Sequence, residues 1–577
     1  MTAAAAALAP DFGAELDAAR GDILQGRPSL AMARLHALAA DDPSNPLVAY
    51  WLATALGAEG RWSEHRSTLR AAQTLHAFKL IEGCGVDLSR LRSDPVFAAQ
   101  VGDAFYGQHM VATASVAYGL ACAQAAVPLP VLLGYGLSLQ HQGRIQEAVE
   151  VFTRAHRAYP NAPAAHSFLL YALFYMPEGV RRHAEEARRW AKAHDGLPIP
   201  ERSSFANPPL GGRALRLGYV LPTASGGQAR QFLSPVLEHH DPERVQVVLY
   251  VHDAAAETGV AAPRARSIGR LDDEAAAALI RQDGIDVLVD LWGHTAGGRL
   301  GVFARKPAPV QASWLNYVQT TGLMAVDYLI HCDCLKVPGA QDHCAETLWY
   351  LGATISPFRP DPRPEPTPTP ALAQGYVTFG SYNHPARLND QTVAAWSAIL
   401  NGVPGSRLIL RYRYYQDEVL RNVTLMRFVA HGVAPDRVQF REPLTQPDYY
   451  RSYSEIDLAL DPSPNPGGTT SLDAVANGVP LLTLAGEDYF SRIGLAVVEP
   501  LGLGELIADD WPDYIERAVA LARDIAALDA LRTKVRAAFD ASERRDEAGF
   551  THRLETAFRD MFGLWSAGRK ESETARP

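Results

Sequence analysis

Asp461-Pro-Ser-Pro-Asn-Pro-Gly-Gly-Thr-Thr-Ser-Leu-Asp473 follows a strand-like run at 456–460 and precedes a helix-like run that ends at Gly478-Val-Pro480. A strand that breaks into paired glycines and hydroxyls and restarts as a helix aims backbone N–H groups and a positive dipole end at open space. That is a cradle for an anion such as a phosphate. Gly467 and Gly468 let the backbone approach closely, and Thr469 and Thr470 add hydroxyl donors. Asp473, one turn into the helix, is spaced to accept from a ribose hydroxyl.

Outward from the cradle the chain alternates apolar strands with helices. Strands are expected at 376–380, 407–412, 438–441, 456–460 and 480–484, and an earlier series at 215–221, 245–251 and 285–290. Between the two series, 355–370 carries proline at nearly every second place and reads as a stiff, extended linker. Two α/β lobes joined in this way put a crevice between the carboxyl ends of two parallel sheets, where ligands bind in such folds.

The first third is alanine-rich, helical and repetitive at the length of a tetratricopeptide unit. The clearest copy, from Leu129, holds Leu132, Tyr135, Gly136, Leu139, Ala148, Phe152, Ala155 and Pro160 at the pattern positions. Gly136 and the alanines let two antiparallel helices approach, and Phe152 fills the space between units. Other copies phase to starts near Phe12, Pro46 and Ser93, with a degenerate unit from Pro163 and an interruption over 77–92 that divides the array into two short blocks. Such a solenoid offers a groove suited to a peptide or protein. The expected organisation is repeats at 1–195, a first lobe at 213–355, a linker at 356–372, a second lobe at 373–546, and a helix with a disordered tail at 547–577.

The chain has 577 residues, 47% hydrophobic and 20% charged, with a formal net charge of −10. This excludes a general attraction to nucleic acid or to an anionic membrane, so a phosphate site must be a local positive feature. Five cysteines in so long a chain fit a reducing, hence cytoplasmic, setting. His331-Cys-Asp-Cys334 and His343-Cys344 match no standard zinc spacing and read as a buried loop. No apolar run approaches a membrane span.

On Ile285-Asp-Val-Leu-Val-Asp-Leu-Trp-Gly-His-Thr295, Pro307-Ala-Pro-Val-Gln311, Trp314-Leu-Asn-Tyr317, Val377-Thr-Phe-Gly-Ser-Tyr-Asn383, the cradle, and Phe550-Thr-His-Arg-Leu-Glu555, the chain resembles a known family. It is similar to the tetratricopeptide-linked protein O-glycosyltransferases, which include the O-GlcNAc transferases and the Spindly-type O-fucosyltransferases. The resemblance implies a GT-B fold and inverting, metal-independent transfer of a sugar from a nucleotide donor, by default UDP-GlcNAc. The acceptor is a serine or threonine of a protein held by the repeats, and no cofactor is needed beyond the nucleotide sugar. Bacterial relatives of this layout glycosylate flagellin, some with a nonulosonic acid carried on CMP, which is the alternative donor and partner. A third reading is a repeat scaffold with impaired chemistry.

Carried over by position, Arg387 stands where the family has a lysine that stabilises the leaving phosphate. Asn383 and His384 fall among the donor-contacting positions. Tyr449 replaces a histidine that stacks on the nucleobase. The departure is in the first lobe, where Gly227 and Gln231 occupy the places of two family histidines, neither able to accept a proton near neutral pH. Gly226, Gly227 and Arg230 instead make an anion-friendly loop on the acceptor side. His294 and Asp290, at one strand end, are the remaining candidates for the base, with nothing in the sequence to choose between them.

Overall fold

Proline at the start of a helix and glycine or a small polar residue after it punctuate the first third. The resulting helix pairs are Phe12–Leu24 with Pro28–Asp41, Pro46–Ala58 with Trp62–Gly83, Pro95–Gly107 with Val111–Ala121, Leu129–His141 with Ile145–Ala158, and Pro163–Leu173 with Gly179–His194. The computed structural model describes residues 12–568 apart from 125, 177–178, 195–199, 202–203, 224–226, 257–263 and 361–364; the tail expected to be disordered lies mostly outside this range. Gly136 sits where a Cβ would come 2.4 Å from the Phe152 ring, so the close approach inferred for this helix pair depends on its lacking a side chain. The interruption at 77–92 is absorbed by running one helix on to Gly83 and adding a short helix, Leu88–Ser93.

The first lobe is a seven-stranded parallel sheet: β1 Leu215–Val220, β2 Val245–Val251, β3 Ala265–Ser267, β4 Val287–Asp290, β5 Val310–Ser313, β6 Tyr328–His331 and β7 Thr347–Tyr350, in the order β3-β2-β1-β4-β5-β6-β7. The second is a six-stranded parallel sheet: β8 Thr378–Ser381, β9 Arg407–Arg411, β10 Val438–Arg441, β11 Leu458–Leu460, β12 Leu481–Leu484 and β13 Ile507–Ala508, in the order β10-β9-β8-β11-β12-β13. Both are doubly wound. The order reverses between β1 and β4 in one lobe and between β8 and β11 in the other, and those reversals open the crevices in which such sheets bind ligands. The loop after β8 carries Asn383 to Arg387, and the loop after β11 is the cradle.

The last helix, Glu547–Ser566, returns to the first lobe. Its Phe550, Leu554, Phe558, Met561 and Phe562 are buried against Leu215, Leu217, Val245 and Val310. Glu555 is clamped by Arg244 at 2.9 Å and by His240 at 3.0 Å.

The repeats are not a detachable arm. Asp417 of the second lobe is buried and accepts the N–H groups of Ala112 at 2.8 Å and Thr113 at 3.0 Å, capping the helix Val111–Ala121 from another part of the fold. His183 of the last repeat shares a 2.7 Å hydrogen bond with Tyr317 of the first lobe. Among the described residues no helix is long and apolar enough to cross a membrane.

Candidate functional site: a crevice between the lobes

A cavity of about 300 Å³ lies between the two switch points, within the range of small-molecule sites. Leu221, Leu291, Trp292 and Asn316 line it from the first lobe, and Arg387, Pro466, Gly468, Thr469 and Arg544 from the second.

The cradle is built from below by Asp461, a residue to which the sequence reading gave no role. Its Oδ1 accepts the Gly467 N–H at 2.7 Å and the Ser471 hydroxyl at 3.1 Å, and its Oδ2 accepts from Thr483 at 3.1 Å. Burial pushes Asp461 up to about 6. Asn389 and Thr392 donate to the Ser463 carbonyl at 2.7 and 3.0 Å. The Arg387 guanidinium donates to the Asn465 carbonyl at 3.2 Å and to that of Pro466, and lies 6.0 Å from the centre of the Tyr175 ring. The N–H groups of the first turn of Thr469–Ala476 have no intrahelical acceptor, and Gly468 and Thr469 at that helix start line the crevice.

The roles of the two glycines differ. The Gly467 N–H is spent on Asp461, and its missing side chain makes room for Ser471 and Asn383. Gly468, the N-cap, has nothing within 4 Å of where a Cβ would stand, which leaves space for a ligand atom. The Thr470 hydroxyl donates to Asn383 Oδ1 at 2.8 Å, so it braces the two loops and is not the free donor expected.

Asp473 is buried beneath Tyr449, whose hydroxyl donates to its Oδ2 at 3.0 Å and shares a 3.0 Å hydrogen bond with Tyr453. Asp473 Oδ1 is buried, with the Tyr450 hydroxyl and the Gln231 amide beside the carboxyl. Burial raises this carboxyl to about 7. Its folded value lies above its unfolded one, so its contribution to stability is present below about pH 4 and is lost as the pH rises toward 7. Asp473→Asn is therefore expected to gain in Tm over the wild type on going from pH 5 to pH 8 without ligand. A difference that stays flat over that range would mean the carboxyl titrates normally.

Several sequence-based expectations are corrected by the structure. His294 lies at the end of β4 but is buried at a different cavity, between the first lobe and the last repeats, lined by Ser167, Trp190 and His194. Its Nε2–H donates to the Thr321 carbonyl at 2.9 Å, and its Nδ1 then accepts from the Ser167 hydroxyl at 3.2 Å, leaving no lone pair for a substrate proton. Burial pushes it down to about 3. Asp290 does not orient it. The carboxylate accepts the N–H groups of Trp292 at 3.1 Å and Gly293 at 2.9 Å, shaping the loop after β4. We expect His294→Ala to cost about 1–3 kcal/mol of stability through its lost hydrogen bonds, with turnover at a permissive temperature close to the wild type. A collapse of turnover with an unchanged Tm would restore it as the base.

His384 also turns away from the crevice. Its Nδ1 accepts the Ala386 N–H at 3.0 Å, so its Nε2–H donates to His141 of the repeats at 3.1 Å, in a cluster with Tyr412 and Tyr414. Gly226 lies outside the described residues, and only the backbone of Gly227, opening the helix Gly227–Phe232, is described. Arg230 is exposed. Gln231, in the place of a family histidine, is buried and donates to the Tyr450 hydroxyl, tying the two lobes together beside Asp473.

Arg544 is the lining residue that sequence reasoning missed. It is 2% exposed, forms no ion pair among the described residues, and spans the crevice floor by donating to the Ser356 carbonyl at 3.2 Å and to that of Ala496. It follows a helix end in a polar stretch, where an arginine reads as solvent-facing. Cys332, Cys334 and Cys344 pack in an apolar cluster with Leu329, Leu335 and Leu348.

The sequence profile of glycosyl transferase family 41 matches residues 171–356 and 369–554, which take in both lobes with the last repeat helix and the start of the final helix. The chain belongs to glycosyltransferase family 41. It is 32% identical over 433 residues to a rice protein named probable UDP-N-acetylglucosamine–peptide N-acetylglucosaminyltransferase SPINDLY, covering 73% of this chain and 46% of the rice protein. It is 27% identical over 392 residues to the Arabidopsis thaliana protein of the same kind named SEC, covering 65% and 39%. The chain spans about half the length of the curated relatives it matches. Among solved structures, a lysine-to-methionine mutant of the Thermobaculum terrenum O-GlcNAc transferase superposes with a TM-score of 0.72 at 28% identity, covering 98% of this chain and all of that one. Repeats followed by two facing Rossmann-like lobes are thus the layout of a family 41 enzyme with a GT-B-like fold.

Proposed function

We propose that this family 41 chain transfers a sugar from a nucleotide donor, UDP-GlcNAc in the first instance, to a serine or threonine hydroxyl of a protein. The observation that carries the reading is the convergence of Arg387 and the open N-terminus of Thr469–Ala476 on one crevice. Breaking the sugar–phosphate bond leaves negative charge on the departing diphosphate, and a helix N-terminus with a guanidinium is a preorganised acceptor for it. The chemistry is assigned to these groups and not to a metal ion. Asp473, one turn into the cradle helix, and its partner Tyr449 lie outside the lining of the cavity and are assigned to the nucleoside end of the donor, away from the reacting atoms. The relatives' names, which specify UDP-N-acetylglucosamine and a peptide, support this donor and acceptor class.

Among the described residues, no histidine or carboxylate lines the crevice. We therefore assign the acceptor's proton to an oxygen of the departing phosphate, transferred as the hydroxyl oxygen bonds to the anomeric carbon and the sugar–phosphate bond breaks. The CMP-linked acid and the flagellin acceptor draw no support from the relatives. The impaired-scaffold reading is disfavoured by a cradle whose supporting hydrogen bonds are all in place.

The test is ligand-induced stabilisation by UDP-GlcNAc, GDP-fucose and a CMP-linked acidic sugar, followed by intact-mass detection of transfer to protein acceptors. Saturation at a hundredfold over Kd stabilises by about 2.7 kcal/mol. A response to none of the donors would sink the reading, and a response to the CMP sugar alone would replace the donor.

A further inference from the structure

Away from the crevice, the last three helices of the repeats bring three metal-ligating side chains together, with a fourth beside them. His156 comes from Ile145–Ala158, His166 from Pro163–Leu173, and Glu186 and His194 from Gly179–His194. Donor atoms of His156, His166 and Glu186 all lie within 4.8 Å of one another. The His156 and His166 rings are 3.9 Å apart between centroids, and the His194 ring is 5.7 Å from that of His166. Glu186 is held in orientation, one oxygen accepting from His166 Nε2 at 2.7 Å and the other from Arg189 at 2.7 Å.

Side-chain packing alone does not account for this arrangement. His156 Nδ1, His166 Nδ1 and His194 Nε2 are all buried without a hydrogen-bond partner, and an orphaned buried polar atom costs about 1–3 kcal/mol. These orphans on three helices mark a site not built for packing alone, and a cation in place of the proton between His166 Nε2 and Glu186 Oε1, 2.7 Å apart, would take a His156 nitrogen as its third ligand. Imidazole nitrogens with one carboxylate oxygen are the donor set of zinc and its neighbours, not of magnesium or calcium.

We propose that His156, His166 and Glu186 bind one divalent transition metal ion of the zinc class, with His194 as the fourth ligand. The ion ties the last repeat to the one before it, next to the cavity that His194 shares with His294 at the border of the first lobe. It plays no part in the sugar transfer proposed above, and its test is independent of that activity.

The experiment uses the full chain without a polyhistidine tag, dialysed against a chelator and titrated with zinc chloride alone. A single equivalent is expected to bind, with a rise in Tm, and cobalt(II) in its place should give the visible absorption of a tetrahedral site. His156 is partly exposed, so His156→Ala is expected to keep the wild-type far-UV circular dichroism while losing at least about tenfold in zinc affinity, about 1.4 kcal/mol. His194→Ala provides the same comparison if that variant misfolds. A wild type that binds no zinc, or variants that bind it as tightly as the wild type does, would overturn the proposal.

Discussion

Arg387→Ala should slow sugar transfer about a hundredfold, the roughly 3 kcal/mol lost when one preorganised donor to a developing anion is removed. The side chain has two roles in this site. It presents positive charge to the crevice, and it grips the carbonyls of Asn465 and Pro466, which fixes the loop that presents the cradle. Arg387→Lys separates them: an ammonium restores the charge but not the planar fork, so part of the rate should return. Turnover and UDP affinity measured in the same variants distinguish loss of the leaving-group cation, which lowers turnover most, from loosening of the loop, which lowers affinity most. Transfer at the wild-type rate in Arg387→Ala would remove this residue from the chemistry and with it the main support for the proposed function.

The second large effect is expected at Gly467. A Cβ there would stand 2.2 Å from Ser471 Oγ, 2.7 Å from Asn383 Oδ1 and 2.8 Å from Thr470 Oγ1. Those atoms belong to hydrogen bonds that hold the loops after β8 and β11 together, so the methyl group cannot be accommodated by swinging a free side chain aside. Overpacking of this kind costs about 1–3 kcal/mol, and Gly467→Ala should weaken UDP binding about 10- to 100-fold with a lowered Tm. Gly468→Ala is the contrast. Its methyl meets no protein atom within 4 Å, so it should weaken UDP binding by entering the ligand's space while leaving Tm unchanged. Calorimetric titration with UDP decides the matter, and wild-type affinity in Gly467→Ala would mean the cradle is not the phosphate seat.

The outline of the molecule was readable wherever one element carries its own signal. The repeat phases at Phe12, Pro46 and Leu129 coincide with helix starts, because proline and small-residue spacing is local chemistry. The apolar strands β1, β2, β4 and β8 to β12 were legible for the same reason. Strands β3, β5, β6, β7 and β13 were not, and length does not separate them, since β4, β8, β10, β11 and β12 are also three or four residues long; they are made by their neighbours in the sheet. The site divides likewise. Gly467, Gly468, Thr469 and Arg387 advertise themselves by type and spacing. The roles given to His294, Asp290 and His384 rested on what imidazole and carboxylate can do; the partners that occupy the histidines, Ser167, Thr321 and His141, come from distant segments, and Asp290 is taken up by the N–H groups of its own loop. Asp461 and Arg544 went unassigned because only the assembled crevice gives them work. Contacts between the repeats and the lobes were hidden for a related reason: Asp417 of the second lobe caps a repeat helix, so the two regions complete each other.

The return of Glu547–Ser566 to the first lobe has a consequence for biosynthesis. Domains generally fold as they leave the ribosome, N-terminal parts first. Here the strands at 215–350 emerge early, yet the face they present to Phe550, Leu554, Phe558 and Phe562 stays uncovered until nearly two hundred further residues have been translated. The nascent lobe waits through that interval with an oily flank exposed, the kind of surface that invites aggregation. A chain that stops before this helix would leave that flank of the first lobe permanently uncovered.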